Sequence, residues 1–142
     1  MSITREDVVA VFARRAEAWR RRDAASLAAD HTDDCVMHSP MAGEIVGRAA
    51  IEGVYGAWFA GFPDFLFKAD EIIVDRDRVV EVGTILGTDT GGFMGLPPTA
   101  KAFRAPAVLV YTLRDGKIAR FQSVYDFTGV LVQIGMLKAK PA

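Results

Sequence analysis

Few residues in this 142-residue chain have the chemistry for catalysis. Asp126 stands in Ser123-Val124-Tyr125-Asp126-Phe127, a carboxylate among apolar neighbours where a strand pattern ends. A carboxylate desolvated in such a place becomes a base near neutrality. Such a base can remove a proton alpha to a carbonyl and later return it to the product oxygen. The same aspartate directly precedes a short apolar helix, and capping that helix is its alternative role. Strand alternation puts Arg120, Gln122, Val124 and Asp126 on one face, so an inward Asp126 brings Gln122 inward with it, placed to hydrogen-bond a substrate carbonyl. His38, in Val36-Met37-His38-Ser39-Pro40, is the second candidate, as a general acid/base or a hydrogen-bond donor. Alternation forbids His38 and Ser39 from both facing a pocket.

Other groups point away from metals and cofactors. His31, Asp33, Asp34 and His38 are metal-ligand types, but their spacing fits no established site. The glycine-rich run Gly91 to Gly95 leads into Pro97-Pro98 and lacks the lysine and following helix of a phosphate-binding loop. No metal, nucleotide or other cofactor is therefore expected. Cys35 is the sole cysteine, so no intramolecular disulfide forms, and it reads as a small core residue. Trp58, Phe62 and Met94 lie on a helix end and loops that would border a pocket mouth, and with Tyr111 they are the expected lining for a small apolar molecule.

The elements that must position these groups follow from periodicity. Thr4 reads as an N-cap, and Val8, Val9, Phe12, Ala13, Ala16 and Trp19 recur at helical spacing. Asp23 caps a short second helix, Ala24 to Ala29; His31 to Asp34 reads as a turn, and Cys35 to Ser39 as a short strand. Gly43 and Gly47 bracket a loop, after which Ile51, Val54, Tyr55, Trp58 and Phe59 mark a third helix ended by Gly61 and Pro63. Four strands follow, over 65–74, 78–88, 101–113 and 118–126, and a final helix covers about 128–134. Asp115-Gly116 is the hairpin signal between the last two strands. Helices first and antiparallel strands afterwards define an α+β layer architecture in one domain, residues 1–142. Several strands are apolar on both faces, as at Val79-Val80 and Val108-Leu109-Val110, which predicts a homodimer covering the outer face.

Composition bounds the partners. The chain is 51% hydrophobic, enough for a sizeable core, and its formal net charge of −1 gives no reason to expect nucleic acid or an anionic membrane as partner. The charged N-terminus lacks a signal peptide's apolar run and no stretch reaches membrane-span length, so a cytoplasmic location is expected.

Finally, Gly47-Arg48 with Ile51, Phe62-Pro63-Asp64, Asp77-Arg78-Val79-Val80, Gly87-Thr88, Thr90-Gly91, Gly95-Leu96-Pro97-Pro98-Thr99, Asp115-Gly116-Lys117-Ile118, Asp126 and Gln133-Ile134-Gly135 follow one another in a familiar order. In these the chain resembles the SnoaL-like polyketide cyclase family of the nuclear-transport-factor-two-like superfamily. The resemblance implies a cone of three N-terminal helices against a strongly curved, mostly antiparallel sheet, enclosing a pocket and often dimeric. It implies an intramolecular aldol cyclisation without metal or cofactor, with Asp126 in the acid/base position. Ser39 stands where related ketosteroid isomerases carry their aspartate, which argues against that mechanism, and no histidine follows His38 to match the partner histidine of some cyclases. A binding protein for an apolar metabolite, and an oligomeric accessory domain, are the alternatives.

Overall fold

The computed structural model describes residues 3–138. Helix α1, Arg5–Arg21, opens with a capping box: Asp7 N–H donates to the Thr4 hydroxyl oxygen and Thr4 N–H to the Asp7 carboxylate. It closes at Arg22, which adopts a left-handed conformation. Helix α2, Ala24–Ala29, is capped by Asp23, and helix α3, Arg48–Gly61, turns its Ile51, Tyr55 and Trp58 face to the core. A short helix α4, Phe127–Gln133, ends the fold.

Six strands form one curled, mostly antiparallel sheet in the order β2-β1-β6-β5-β4-β3. They are β1 His31–Ser39, β2 Gly43–Val46, β3 Leu66–Asp75, β4 Arg78–Thr88, β5 Ala102–Arg114 and β6 Lys117–Tyr125. Only the β1–β6 pair is parallel. Register shifts interrupt β1 between His31 and Val36, β3 between Ala69 and Glu71, and the β5–β6 ladder between Thr112 and Leu113. Such irregularities bend strands and let a sheet curl around a core. Gly83 is needed at the β3 bulge, because a Cβ there would sit 2.1 Å from the Lys68 carbonyl oxygen.

Two segments differ from the sequence expectation. His31 to Asp34 is the start of β1 rather than a turn, and Gly43–Val46 is an edge strand on β1 rather than a loop. Both are irregular or short and carry polar residues, so alternation alone does not mark them.

The inner face of β5 buries Phe103, Ala105, Ala107, Leu109, Tyr111 and Leu113 against the helices. Its outer face shows Pro106, Val108, Val110 and Thr112, in register with Val124 and Gln122 on β6 and with Val82 and Val80 on β4. No described helix is long and apolar enough to cross a membrane.

Candidate ligand-binding site

Inside the sheet's curve lies a cavity of about 50 Å³. Its wall is aromatic: Trp19 from α1, Tyr55 and Trp58 from α3, Phe65 and Phe67 around the start of β3, and Phe121 and Tyr125 from β6. Met37, Val54, Ile85, Ala107 and Leu109 fill the remaining surface, and Ser39 and Ser123 are its only aliphatic hydroxyls. Among the described residues the lining contains no carboxylate, imidazole or amine. The room exists because β5 places a small side chain, Ala107, opposite Tyr125 in the ladder.

The sequence-predicted residues divide sharply around this cavity. Trp58 lines it. Phe62 is wholly buried as core, tilted against Trp58 and Phe93 and edge-on to Phe103. Tyr111 is also core, ring to ring with Phe121 at 4.9 Å, and its hydroxyl donates to Glu81 at 2.8 Å. Met94 is 59% exposed at a left-handed position in a single 3₁₀ turn, Phe93–Gly95, and points to no cavity lining. Asp126 is exposed and caps α4, its Oδ1 accepting from Gly129 N–H at 2.9 Å. It forms no part of the cavity lining.

Alternation resolves the His38 and Ser39 choice. Ser39 faces the cavity, and its hydroxyl oxygen accepts from Ala42 N–H at 2.9 Å. His38 instead lies on the outer side, paired in register with exposed Gln122. The two join Pro40, Glu44 and Val124 around an open groove that Ser39 and Ser123 also border, with His38 Nε2 3.8 Å from Glu44 Oε2. The expectation that Gln122 turns inward therefore fails: on β6 the inward residues are Ile118, Phe121 and Ser123, and Gln122 and Val124 face out. The irregular step at Thr112/Leu113 sets the inward phase of β6 to Phe121 and Ser123, and the strand ends at Tyr125, which leaves Asp126 to cap α4.

A second polar centre, unsuspected from the sequence, adjoins the cavity through Tyr55. Arg15 is 1% exposed; its Nη2 donates to the Tyr55 hydroxyl at 3.0 Å and its Nη1 to the Leu27 carbonyl and to Asp30 at 3.2 Å. Its guanidinium lies over the Phe12 and Tyr111 rings. His31, fully buried, sets Nε2 2.9 Å from the Tyr55 hydroxyl and Nδ1 3.1 Å from Cys35 Sγ. Burial, with the Arg15 and Arg48 charges adding to it, pushes His31 down to about 3, so the ring is neutral at pH 7. The arrangement using every donor runs one way: Arg15 to Tyr55, Tyr55 to His31 Nε2, and His31 Nδ1–H to Cys35. Burial raises the Cys35 thiol to about 11, which keeps it protonated. It also pushes the Glu81 carboxyl upward, although the Tyr111 hydrogen bond and the Arg15 charge oppose this.

A signal for this centre was present in the chain. Arg15 falls on the apolar stripe of α1, between Phe12 and Trp19, and Glu81 alternates in phase with the inward Val79 and Ile85. A charge in the buried phase of a helix or strand must find partners. His31 had no such flag, because its strand was unrecognised. Among the described residues, no three His, Cys, Asp or Glu side chains gather to hold a metal.

The SnoaL-like polyketide cyclase family matches residues 10–134, most of the chain. The chain belongs to that family. Solved structures agree with the assignment. AclR from Streptomyces galilaeus superposes with a TM-score of 0.82 at 25% identity, over 97% of this chain and 87% of its own. IdmH from Streptomyces antibioticus is 28% identical with a TM-score of 0.75, over 90% of this chain and 98% of its own. A protein of ketosteroid isomerase-like fold from Catenulispora acidiphila, solved in complex with trimethylamine, shares 20% identity and a TM-score of 0.75, over 98% of this chain and all of its own. No curated protein matches this sequence. In this chain the cavity inside the sheet is walled by aromatic rings, aliphatic side chains and hydroxyls.

Proposed function

We propose that this SnoaL-like chain binds a small apolar molecule within the cone and does not turn it over by aspartate acid/base chemistry. The observation that carries this is the lining itself. A base must come within hydrogen-bond reach of the proton it removes, whereas Asp126 is engaged at the start of α4 and His38 stands on the outer groove. An aromatic wall with few polar groups suits apolar ligands. At about 50 Å³ the cavity is roughly a third of an engineered apolar cavity that admits benzene, so a larger ligand enters only if side chains such as Val54 and Trp58 on α3 move.

The chain has two tryptophans, and both line the cavity. Titration with indane, followed by tryptophan fluorescence, should give a saturable change at one ligand per chain. An unchanging signal would remove the proposal. Loss of turnover of an ester or ketone in Asp126→Asn would restore the cyclase reading. A homodimer goes with this proposal, supported by the outer-face row Ile73, Val80, Val110 and by Val82, Val108, Val124 beside it. Sedimentation showing only monomer at micromolar concentration would contradict it.

A further inference from the structure

The inner cavity and the outer groove have two lining residues in common, Ser39 and Ser123. The groove is the larger space, about 370 Å³ against about 50 Å³ inside. At this point a single layer of backbone separates them. His38, Gln122 and Val124 stand on its outer side, and Met37, Phe121 and Tyr125 line the cavity within.

The sheet is weakly held at the same place. The parallel β1–β6 ladder ends at the pair His38 and Gln122. Beyond it Ser39 is paired only with Gly43 of β2, and Ser123 only with Leu109 of β5. Among the described residues one hydrogen bond crosses this seam, from the Ser123 hydroxyl to the His38 carbonyl at 3.5 Å, which is long for a hydroxyl donor. The Ser39 hydroxyl is taken by Ala42 N–H, and the Tyr125 phenol has no partner across the gap. Strand β2 is an edge strand bonded to β1 alone, so the turn between them can swing outward without breaking a second ladder.

We infer that the outer groove is the vestibule of the cavity: a small apolar molecule settles against Val124 and Pro40 and passes inward between Ser39 and Ser123 as the seam parts. The inference rests on the proposal that the cavity binds such a molecule, and it assigns the groove to the rate of binding. Along this path the molecule leaves the apolar surface of Val124 and Pro40, slips past two small hydroxyl side chains, and meets Met37 and Phe121 within. The groove also lies at the margin of the outer apolar face. Glu44, His38 and Gln122 form one register row across β2, β1 and β6, and the same row continues as Val110, Val80 and Ile73 across β5, β4 and β3. A partner copy centred on the apolar end of that row leaves the polar end, and the groove with it, open.

An entrance sets how fast a ligand arrives and leaves, and not how tightly it is held, because the path is part of neither end state. The test is a lock: His38→Cys with Gln122→Cys, two register partners facing outward, whose disulfide pins the strands where the ladder ends. Indane uptake and release are followed by stopped-flow tryptophan fluorescence, since Trp19 and Trp58 line the cavity. The oxidised protein should take up and release indane at least about tenfold more slowly than the same protein after reduction, one barrier raised in both directions. Its Kd, the ratio of the two rates, should stay within about twofold. Gln122→Phe needs no disulfide and should slow both rates in step by crowding the groove. The lock decides where the disulfide forms, and Gln122→Phe where it does not. Equal rates before and after reduction, or without a disulfide a Gln122→Phe as fast as wild type, would overturn the inference and leave the binding proposal standing with another entrance. Absence of any saturable change in wild type would overturn the binding proposal and the inference with it.

Discussion

The centre around Arg15 and the cavity beside it share Tyr55 and contrast in every other respect. Around Arg15, charges and hydroxyls are buried with partners: Asp30, Tyr55, His31, Cys35, and the Tyr111–Glu81 pair beneath the guanidinium. Around the cavity the walls are apolar, and two donors are left over. Partnered polar groups of the first kind rigidify a core. The contrast explains why the most ionisable interior residues are poor candidates for chemistry. They are committed to one another, with only Arg15 Nε left without a partner.

The contrast breaks most visibly at Arg15. Removing one member of a buried, hydrogen-bonded charge group typically costs about 3–5 kcal/mol. Arg15→Ala should approach that loss in urea unfolding, because the Tyr55 hydroxyl and the Leu27 carbonyl lose their buried donor and the Arg15 cavity opens between Phe12 and Tyr111, while Asp30 keeps Arg14. A loss under 1 kcal/mol would mean that the network relaxes into water and is no rigid base for the cavity.

Acid should sharpen the same contrast through His31. Its folded pKa, about 3, lies below its unfolded value, so the native ring stays neutral while the unfolded ring gains a proton. The stability this leaves at neutral pH is full above about 6.5 and is lost as pH falls toward 3, up to roughly 5 kcal/mol at the limit. Wild type should therefore lose more stability between pH 7 and pH 4 than His31→Gln. Parallel losses in the two proteins would show that His31 titrates in the native state as it does unfolded.

The smallest effect belongs to Asp126. As a helix cap it should be replaceable by asparagine with little change, while Asp126→Ala costs about 1 kcal/mol. A rise in stability of several kcal/mol in Asp126→Asn would instead indicate a carboxylate strained by burial.

Much of the fold was legible in the sequence because its signals are local. Caps at Thr4, Asp23 and Asp126, the helical stripe of α1, the Asp115-Gly116 turn and the long strands all appear where the pattern puts them. The site was less legible. Alternation does not extend to Asp126, because the strand ends at Tyr125 and the helix begins at Phe127. The phase that matters was the other one, through Phe121 and Ser123. Met94 looked like lining because it is apolar and in a loop. That loop is organised from within by Asp89, which is buried and accepts from Gly92, Phe93 and Thr99, leaving Met94 outside. Partners brought together over such distances as Arg15, His31 and Tyr55 carry no spacing to read.

On the proposal above, the cavity and not the outer groove at His38 receives the ligand. Ala107 lines the cavity and not the groove, so Ala107→Leu is the direct probe. The added methyl and methylene groups should fill the free volume at a modest stability cost, about 1–3 kcal/mol if the core is overpacked. The measurement is the indane titration of this variant beside wild type, with the fold checked by circular dichroism. A folded Ala107→Leu whose fluorescence no longer responds is the predicted result; a folded variant that binds as wild type does would place the ligand elsewhere and contradict the claim.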